Sequence, residues 1–331
     1  KEQLIASGEA QMIVGTHALF QASVKFNSLG LIIIDEQHRF GVDQRQALQK
    51  KADENIMPHQ LIMTATPIPR TLAMSVYADL DYSQIDELPP GRTPVKTSII
   101  AQSKRDDLIN SVRTACAKGQ QIYWVCTLIE ESEVLQCEAA ELTFENLHKQ
   151  LPEISIGLVH GRMKAAEKEL VINGFKDGTT QLLVATTVIE VGVDVPNASI
   201  MIIENPERLG LSQIHQLRGR VGRGNIESFC LLLVKSDLSK QVSNRLEVIR
   251  NHQDGFIIAE KDLEIRGAGE VMGTRQTGEA SFRIVDLVRD KCWFSQAEQL
   301  AEILMQESES IQRQQLLDNW IGYKVEYSDV G

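Results

Sequence analysis

The chain has 331 residues, of which 43% are hydrophobic, and a formal net charge of -11. This length predicts about two domains, and the negative balance argues against a histone-like coat of positive charge, although a local basic groove remains compatible with it. The 5 cysteines include no CxxC pair, which argues against a disulfide or zinc framework, and no apolar run approaches the ~20 residues that would cross a bilayer.

An apolar run near the start of the chain leads into two adjacent carboxylates. Leu31 to Ile34 are four branched apolar residues, which predict a strand buried on both faces, as in a parallel sheet. Asp35 and Glu36 follow directly, at the edge where open α/β folds bind ligands. One carboxylate could hold Mg²⁺ through water, and the next could activate a water for attack on a γ-phosphate. The alternative is an acidic strand end before a solvated turn.

Two more short strands are predicted in the same part of the chain, at Gln11 to Val14 and at Gln60 to Met63. Both run into polar turns, which contribute Thr16, His17, Thr64 and Thr66. Strands that alternate with helical runs predict a parallel sheet with crossover connections. Because only about three strands can be counted, we expect residues 1–87 to form the C-terminal part of a first domain.

A proline-rich stretch, Leu88 to Pro94, predicts a linker, because three prolines and a glycine cannot continue a helix or a central strand. Residues 95–243 then predict a complete doubly wound domain. Its strands are expected near 95–100, 122–127, 155–159, 181–185, 199–203 and 229–234, and its helices at 103–117, 131–151 and 164–175. Residues 244–331 predict a helical hairpin, a glycine-rich loop and an acidic tail with a helix over 298–315.

An arginine-rich stretch from Gln213 to Gly224 is the most specific part of the sequence. Arg220 and Arg223 are three residues apart, which on a helical turn would place them on one face. Two guanidinium groups on one face suit a polyphosphate. The alternative is a basic surface turn that binds any anion, but Gln216 one turn earlier favours the functional interpretation.

Another apolar strand ends at Ala185, and polar groups follow it. Thr186 is the first of two threonines, and the loop beyond contains Gly192 and Asp194. Threonine hydroxyls at a strand end can donate to phosphate, and Asp194 could accept from a ribose hydroxyl; the alternative is an ordinary loop with capping threonines. The stretch 157–163 repeats this pattern more weakly, and His160 alone is more typical of a packed or capping residue.

In this order, the motifs resemble those of superfamily 2 helicases. They are DEQH at 35–38, TAT at 64–66, GLVHGRM at 157–163, ATTVIEVGVDVP at 185–196 and QLRGRVGRG at 216–224. The stretch from Lys261 to Gly278 resembles a translocation motif shared by two bacterial families, the RecG fork-reversal helicases and the transcription-repair coupling factors. GTRQTG at 273–278 and PIPR at 67–70 are most similar to the RecG family.

This resemblance implies two RecA-like α/β domains, the first incomplete, and an ATP-dependent helicase that translocates on double-stranded DNA. Such an enzyme remodels stalled forks and Holliday junctions in recombination and repair. The cofactors implied are ATP and Mg²⁺, and the partners are branched double-stranded DNA and single-stranded-DNA-binding protein. The location implied is the bacterial cytoplasm, at the nucleoid, without a membrane partner.

Residue by residue, the resemblance implies that Glu36 activates the hydrolytic water and that Arg220 and Arg223 act as fingers on the γ-phosphate. Asp35 would hold Mg²⁺ through water. The residues implied at the nucleotide are Asp35, His38, Gly192, Asp194 and Gln216. The residues implied along the nucleic-acid track, or in its coupling to the nucleotide, are Thr16, His17, Thr64, Thr66, Gly161, Thr186, Arg266 and Gln276.

The phosphate-binding loop of such enzymes is missing from this sequence. None of the 22 glycines is followed by lysine, so the G-x-x-x-x-G-K-[ST] pattern is absent, as is a recognisable wedge domain. Together with the start at Lys1, this leads us to expect a C-terminal motor fragment that is inactive alone, since single electrostatic contacts to a reacting group can each contribute about 10²–10³ in rate. Two alternatives remain open: the motor of a transcription-repair coupling factor, and a non-catalytic nucleic-acid-binding module.

Overall fold

The computed structural model describes residues 1–36, 48–52, 57–65, 81, 83–85, 87, 92–127, 133–187, 195–224, 226–235, 237–266, 289–306 and 315. These form two compact units. The first contains the described residues up to 65 and from 296 onward, and the second contains those from 81 to 295. The sequence-based boundaries at 88–94 and 243 stay predictions.

In the first unit, two parallel strands pair in register. Strand β1, Leu31–Ile34, lies beside β2, His59–Ile62, with Leu31 opposite His59 and Ile34 opposite Ile62. Helix α1 spans Glu2–Ala6, and a short 3-10 helix spans His17–Phe20. The predicted strand at 60–63 is therefore confirmed within one residue.

Two predictions for this unit are wrong. Strand β1 is not buried on both faces, because Ile32 and Ile34 are buried whereas Leu31 and Ile33 are 56% and 55% exposed. Its side chains alternate because the described chain covers only one face of the pair. Residues 11–14 do not form a strand: Met12 and Val14 are more than 80% exposed, and within the described part of the chain no ladder of hydrogen bonds forms beside them.

The second unit contains a parallel sheet of six strands in the order β3-β8-β7-β4-β6-β5. The strands are β3 Lys96–Ala101, β4 Gln121–Cys126, β5 Ile156–Val159, β6 Leu182–Ala185, β7 Ala198–Glu204 and β8 Phe229–Val234. Each predicted strand is confirmed within one residue. The mixed α/β architecture is the predicted RecA-like fold, in which every crossover between parallel strands needs a long connection.

The helices of the second unit lie between its strands or follow the last strand, β8. They are α2 Arg105–Ala117, α3 Glu133–Gln150, α4 Ala165–Lys176, α5 Leu211–Arg218, α6 Lys240–Asn251 and α7 Gly255–Arg266. Helix α8 spans Phe294–Gln306, so it overlaps the predicted tail helix over 298–306, and residues 307–314 lie outside the described part of the chain. No helix among the described residues is long and apolar enough to span a membrane.

The core of the second unit lies on both faces of the sheet. Strand β4 is buried along its whole length, and its side chains alternate between two clusters. Trp124 packs in the cluster that contains α2 and α3, whereas Tyr123 packs in the cluster that contains α5 and α6. With both faces of the sheet covered, the loops at its carboxyl edge are left to carry polar groups.

Candidate nucleotide and nucleic-acid site

The acidic strand end lies at the carboxyl edge of the two-stranded sheet. The N–H of Met63 donates to the carbonyl of Ile34 at 2.8 Å, so the pairing continues one step beyond the strands. Asp35 and Glu36 come just after β1, and Thr64 comes just after β2. These residues therefore lie side by side at the ends of the two strands. The structure thus brings these three residues to one edge of the sheet.

Glu36 has an unusual backbone conformation, with φ at 55°. Its N–H donates to Oδ1 of Asp35 at 2.9 Å, which orients that exposed carboxylate. A non-glycine residue in the left-handed region is uncommon, and such residues concentrate at functional sites. The chain thus turns sharply at the carboxylate proposed to act on water.

Thr16 and His17 begin the short 3-10 helix of the first unit, and both are exposed. This turn is held by Lys51, whose ammonium donates to the carbonyls of Leu19, Gln21 and Val24, with the first bond at 2.9 Å and the last at 3.1 Å. Burial lowers the pKa of Lys51. Sequence reasoning missed Lys51, because its acceptors lie about thirty residues earlier and are backbone atoms.

The arginines at 220 and 223 do not share a helical face, so this part of the prediction is wrong. Helix α5 ends at Arg218, and beyond it Arg220 N bonds the carbonyl of Leu217 at 2.9 Å while Val221 N bonds that of Arg218 at 3.3 Å. These are i to i+3 bonds, which tighten and end the helix. Arg220 and Arg223 therefore lie in the following turns, here called the arginine loop (residues 219–224).

The arginine loop has close neighbours on two sides. Gly222 has φ at +79°, and a Cβ there would lie 2.8 Å from Cγ2 of Val95. A Cβ on Gly224 would lie 2.6 Å from the carbonyl oxygen of Pro196. The loop thus contacts the residues after the proline-rich stretch and the end of the 185–196 motif.

A third arginine of the same motif, Arg218, is structural and was missed by sequence reasoning. It is 3% exposed, and its Nη1 donates to the carbonyls of Ile249 at 2.7 Å and His252 at 2.9 Å. Its Nη2 lies 3.2 Å from the carbonyl of Gln253. Arg218 thus joins the end of α5 to the turn between α6 and α7. The spacing of Leu211, Ile214 and Arg218 on one helix face was a signal that could have found it.

Arg218 also lies 3.0 Å from Nδ1 of His215. Burial, and then the charges of Arg218 and Arg92, lower the pKa of His215 to about 4, against a smaller opposing effect of Asp254. Burial also lowers the pKa of Arg218. The imidazole is therefore neutral at physiological pH and acts as an acceptor for the guanidinium.

Two residues predicted to lie along the nucleic-acid track, Thr186 and Gly161, follow neighbouring strands at the carboxyl edge of the six-stranded sheet. Thr186 follows β6 and is 2% exposed, and its hydroxyl has no hydrogen-bond partner within the described residues. Gly161 follows β5, and its carbonyl accepts from Nζ of Lys168 at 2.7 Å. His160 is 8% exposed, with Nε2 3.3 Å from Glu141, which fits the expectation of a packed residue.

A second polar group at this edge was not foreseen. Nη2 of Arg105 lies 3.0 Å from Oε1 of Glu204 at the end of β7, and its guanidinium stacks on Trp124 at 5.2 Å from the ring centroid. The hydroxyl of Thr127 lies 2.6 Å from the carbonyl of Glu204 and 2.8 Å from that of Asn205. These contacts fix the ends of β4 and β7 relative to each other.

Several predicted residues cannot be placed. His38, Thr66, Gly192, Asp194 and Gln276 lie outside the described residues. Arg266 is the last residue of α7. Their assigned roles stay predictions.

Comparison with known protein families gives three matches along the chain. Residues 1–75 match the DEAD/DEAH box helicase family, residues 103–225 the helicase conserved C-terminal domain, and residues 252–323 the C-terminal part of domain 3 of the ATP-dependent DNA helicase RecG. The third match favours the RecG family over the transcription-repair coupling factors, the two families that the translocation motif suggested.

Curated relatives named ATP-dependent DNA helicase RecG match nearly the whole chain. That of Escherichia coli K12 is 60% identical over 99% of this chain and 48% of its own length. That of Haemophilus influenzae is 58% identical over 98% of this chain and 47% of its own length. The chain spans about half the length of the curated relatives it matches.

Solved structures also align with the chain. A structure of RecG bound to a three-way DNA junction aligns with a TM-score of 0.66 and 42% identity, covering 88% of this chain and 37% of that one. A structure of Saccharomyces cerevisiae Dbp5 bound to RNA and ADP BeF3 aligns with a TM-score of 0.51 at 14% identity, covering 72% and 61%. The second likeness concerns the fold alone.

Proposed function

Because the chain belongs to the RecG family of helicases, we propose that it is the motor portion of an ATP-dependent DNA helicase that remodels branched double-stranded DNA. The observation that carries this proposal is the 60% identity to RecG of E. coli across 99% of the chain. The likeness to RecG on a three-way junction supports branched DNA as the substrate. The roles of individual residues are proposals of the same kind.

The described residues fit part of a nucleotide site. Asp35 offers an exposed carboxylate beside the sharp turn at Glu36, and a carboxylate of this kind suits Mg²⁺ held through water. The arginine loop offers two guanidinium groups that suit phosphate oxygens. Bound Mg²⁺ would neutralise charge on the phosphates. The Gly-Lys pair of a phosphate loop is absent from the sequence and is expected from the remainder of the natural protein.

Within that site, Glu36 orients and deprotonates the attacking water. Arg220 and Arg223 stabilise the charge that develops on the transferred phosphoryl group, and Gln216 on α5 contacts the nucleotide. His38, Gly192 and Asp194 complete the nucleotide contacts. These assignments rest on the motif order.

Nucleic acid is contacted, or coupled to the nucleotide, by Thr16, His17, Thr64, Thr66, Gly161, Thr186, Arg266 and Gln276. Because Thr186 is buried at the end of β6, we assign it to coupling rather than to direct contact with nucleic acid. We further propose contact with single-stranded-DNA-binding protein and a cytoplasmic location at the nucleoid. Both rest on the family resemblance alone.

The test is ATP hydrolysis by the full natural protein with a three-way DNA junction and with linear duplex. We expect the junction to stimulate turnover more strongly than the duplex. Arg223→Ala should lower stimulated turnover at least about 10³-fold, as expected for an arginine finger, and leave the melting temperature unchanged because Arg223 is exposed. Arg113→Ala, an exposed arginine of α2, is the control. The proposal would be contradicted if DNA did not stimulate ATP hydrolysis, or if the Arg223→Ala variant kept its stimulated turnover.

A further inference from the structure

Arg92 occupies the end of the proline-rich stretch, where the sequence indicated only a linker. Its side chain is half-buried, and Nη2 donates to the carbonyl oxygen of Gly219 at 2.7 Å. Gly219 follows α5 directly and precedes Arg220. A bond of this length from a guanidinium is a strong, charge-assisted one, and it spans 127 positions of the chain.

The same carbonyl oxygen also lies 3.5 Å from Nε of Arg223. A carbonyl oxygen has two lone pairs, so one oxygen can accept from both guanidinium groups. The shorter distance belongs to Arg92, and the longer one is at the limit of a hydrogen bond. Gly219 therefore holds Arg92 firmly and Arg223 only weakly.

Arg92 extends from a segment that is itself anchored. Val95 is 5% exposed, and its carbonyl accepts from Nε2 of Gln253 at 2.6 Å. Lys96 N donates to the carbonyl of Ser228 at 2.9 Å, at the start of the β3–β8 pairing. The base of the Arg92 side chain is thus fixed to the sheet and to the turn before α7.

The arginine loop packs against this same segment, through the side chain of Val95 and the backbone of Thr93. A Cβ on Gly222 would lie 2.8 Å from Val95 and 3.3 Å from the carbonyl oxygen of Thr93. Without the bond from Arg92, the carbonyl of Gly219 would lose its strongest partner at the point where the loop leaves the helix. The loop would then be located by the buried side chain of Val221 and by the close packing of its glycines, which have the greatest backbone freedom.

We propose that Arg92 is a positioning residue that holds the arginine loop in the place from which Arg220 and Arg223 reach the nucleotide. The inference rests on the proposed function and adds a residue to it. Arg92 does not touch the nucleotide; it acts through Gly219. Its loss should therefore reduce the rate of hydrolysis more than the affinity for ATP, since displacement of a catalytic group by about 1 Å can cost about 10² in rate.

Arg113 provides a matched control in the same unit. It also donates from Nη2 to the carbonyl at a helix end, that of Gln150 at 2.9 Å, but α3 carries none of the proposed site residues near that end. Arg92→Met and Arg113→Met both remove a bond of this kind, and Arg113→Met also removes the exposed contacts of that arginine with Glu153 and Asn110. Arg92→Lys keeps a cation on a stem of similar length.

The experiment measures kcat and KM for ATP in the full natural protein with a three-way junction, together with the melting temperature of each variant. We expect Arg92→Met to lower kcat at least about 10-fold with KM changed less than about 3-fold, Arg92→Lys to recover part of kcat, and Arg113→Met to match the unsubstituted protein. If Arg92→Met fails to fold, Arg92→Lys and Arg92→Gln are compared instead, and a lower kcat for the neutral glutamine supports the proposal.

Unchanged kcat in Arg92→Met, or an equal loss in Arg113→Met, would overturn the role of Arg92 and leave the proposed function standing. A loss confined to KM would also overturn it, because that result indicates ground-state binding. An unsubstituted protein whose ATP turnover does not respond to DNA would instead overturn the proposed function, and the role of Arg92 with it.

Discussion

Arg218 and His215 lie one turn apart in helix α5, with Nη2 of the arginine 3.0 Å from Nδ1 of the histidine. A guanidinium group has only donors, so Nδ1 must accept and the imidazole proton must lie on Nε2. Burial and the neighbouring positive charges lower the pKa of His215 to about 4. The pair therefore requires a neutral histidine.

This requirement predicts a loss of stability in acid. The ordinary pKa of histidine is 6.5. Between pH 6.5 and about 4, His215 is therefore protonated in the unfolded chain but neutral in the folded chain. The contribution is fully present above pH 6.5 and is lost as the pH falls through this window, to a total of about 3 kcal/mol.

Urea denaturation at several pH values checks this prediction. His215→Gln, whose amide oxygen can accept from Arg218, should flatten the pH dependence in this window. His148→Gln, at an exposed position of α3, should retain it. An equal slope in His215→Gln and the unsubstituted chain would show that another group is responsible.

Removal of the buried arginine should be costly. Arg218→Met would leave the carbonyls of Ile249 and His252 without their guanidinium partner. Each buried acceptor left without a donor costs about 1–3 kcal/mol, so for the two carbonyls we expect a loss of about 2–6 kcal/mol in the free energy of unfolding. Arg223→Met, at an exposed position of the same motif, should change it by less than about 0.5 kcal/mol. Similar stabilities of the two variants would contradict the assignment of Arg218 as structural.

A side chain at Gly222 should reduce stability for two reasons, the left-handed backbone conformation and the close contact with Val95. Comparison with Gly119 separates the two effects. Both glycines have φ near +80°, but a Cβ at Gly119 meets nothing within 4 Å whereas at Gly222 it meets Val95 at 2.8 Å. Gly119→Ala should cost about 1–2 kcal/mol for the left-handed conformation alone. Gly222→Ala should cost about 1–3 kcal/mol more, because of overpacking, and thermal denaturation of both variants measures the difference. Equal costs would mean that the loop moves aside freely.

The ammonium of Lys51 should determine the order of the turn at His17. Lys51→Met removes the donor to Leu19, Gln21 and Val24 while keeping the stem, and we expect a loss of about 1–3 kcal/mol in local stability. Amide hydrogen exchange over residues 17–24 should accelerate accordingly. Lys50→Met, at the exposed neighbouring position, is the control. Unchanged exchange at 17–24 in Lys51→Met would show that the turn is held by other contacts.

Much of the second unit was predictable because each of its strands is a short apolar run between polar turns. That pattern is local, and it placed β8 at 229–234 without error. Motif order similarly made Asp35, Glu36 and the arginine stretch candidates for the site, since the residues of each motif are neighbours in the chain, and their roles stay predictions. Arg218 could have been recognised too, because its spacing from Leu211 and Ile214 assigns it to the buried face of α5.

Other features depended on partners that local sequence does not specify. An apolar run predicts a strand but not whether one face or two are covered, and β1 is covered on only one. The helical spacing of Arg220 and Arg223 held only if α5 continued, and the i to i+3 bonds after Arg218 end it first.

By itself the sequence determined the alternation of strands and helices, the resemblance to superfamily 2 helicases, and the chemical types of the proposed site residues, because these follow from periodicity and from motifs read along the chain. Only the tertiary structure decided that Arg92 donates a hydrogen bond to the carbonyl of Gly219, and that Lys51 donates to carbonyls of the turn after His17. In both pairs a charged side chain bonds a backbone carbonyl. Every residue has such a carbonyl, so the chosen acceptor depends on which segments the fold brings together.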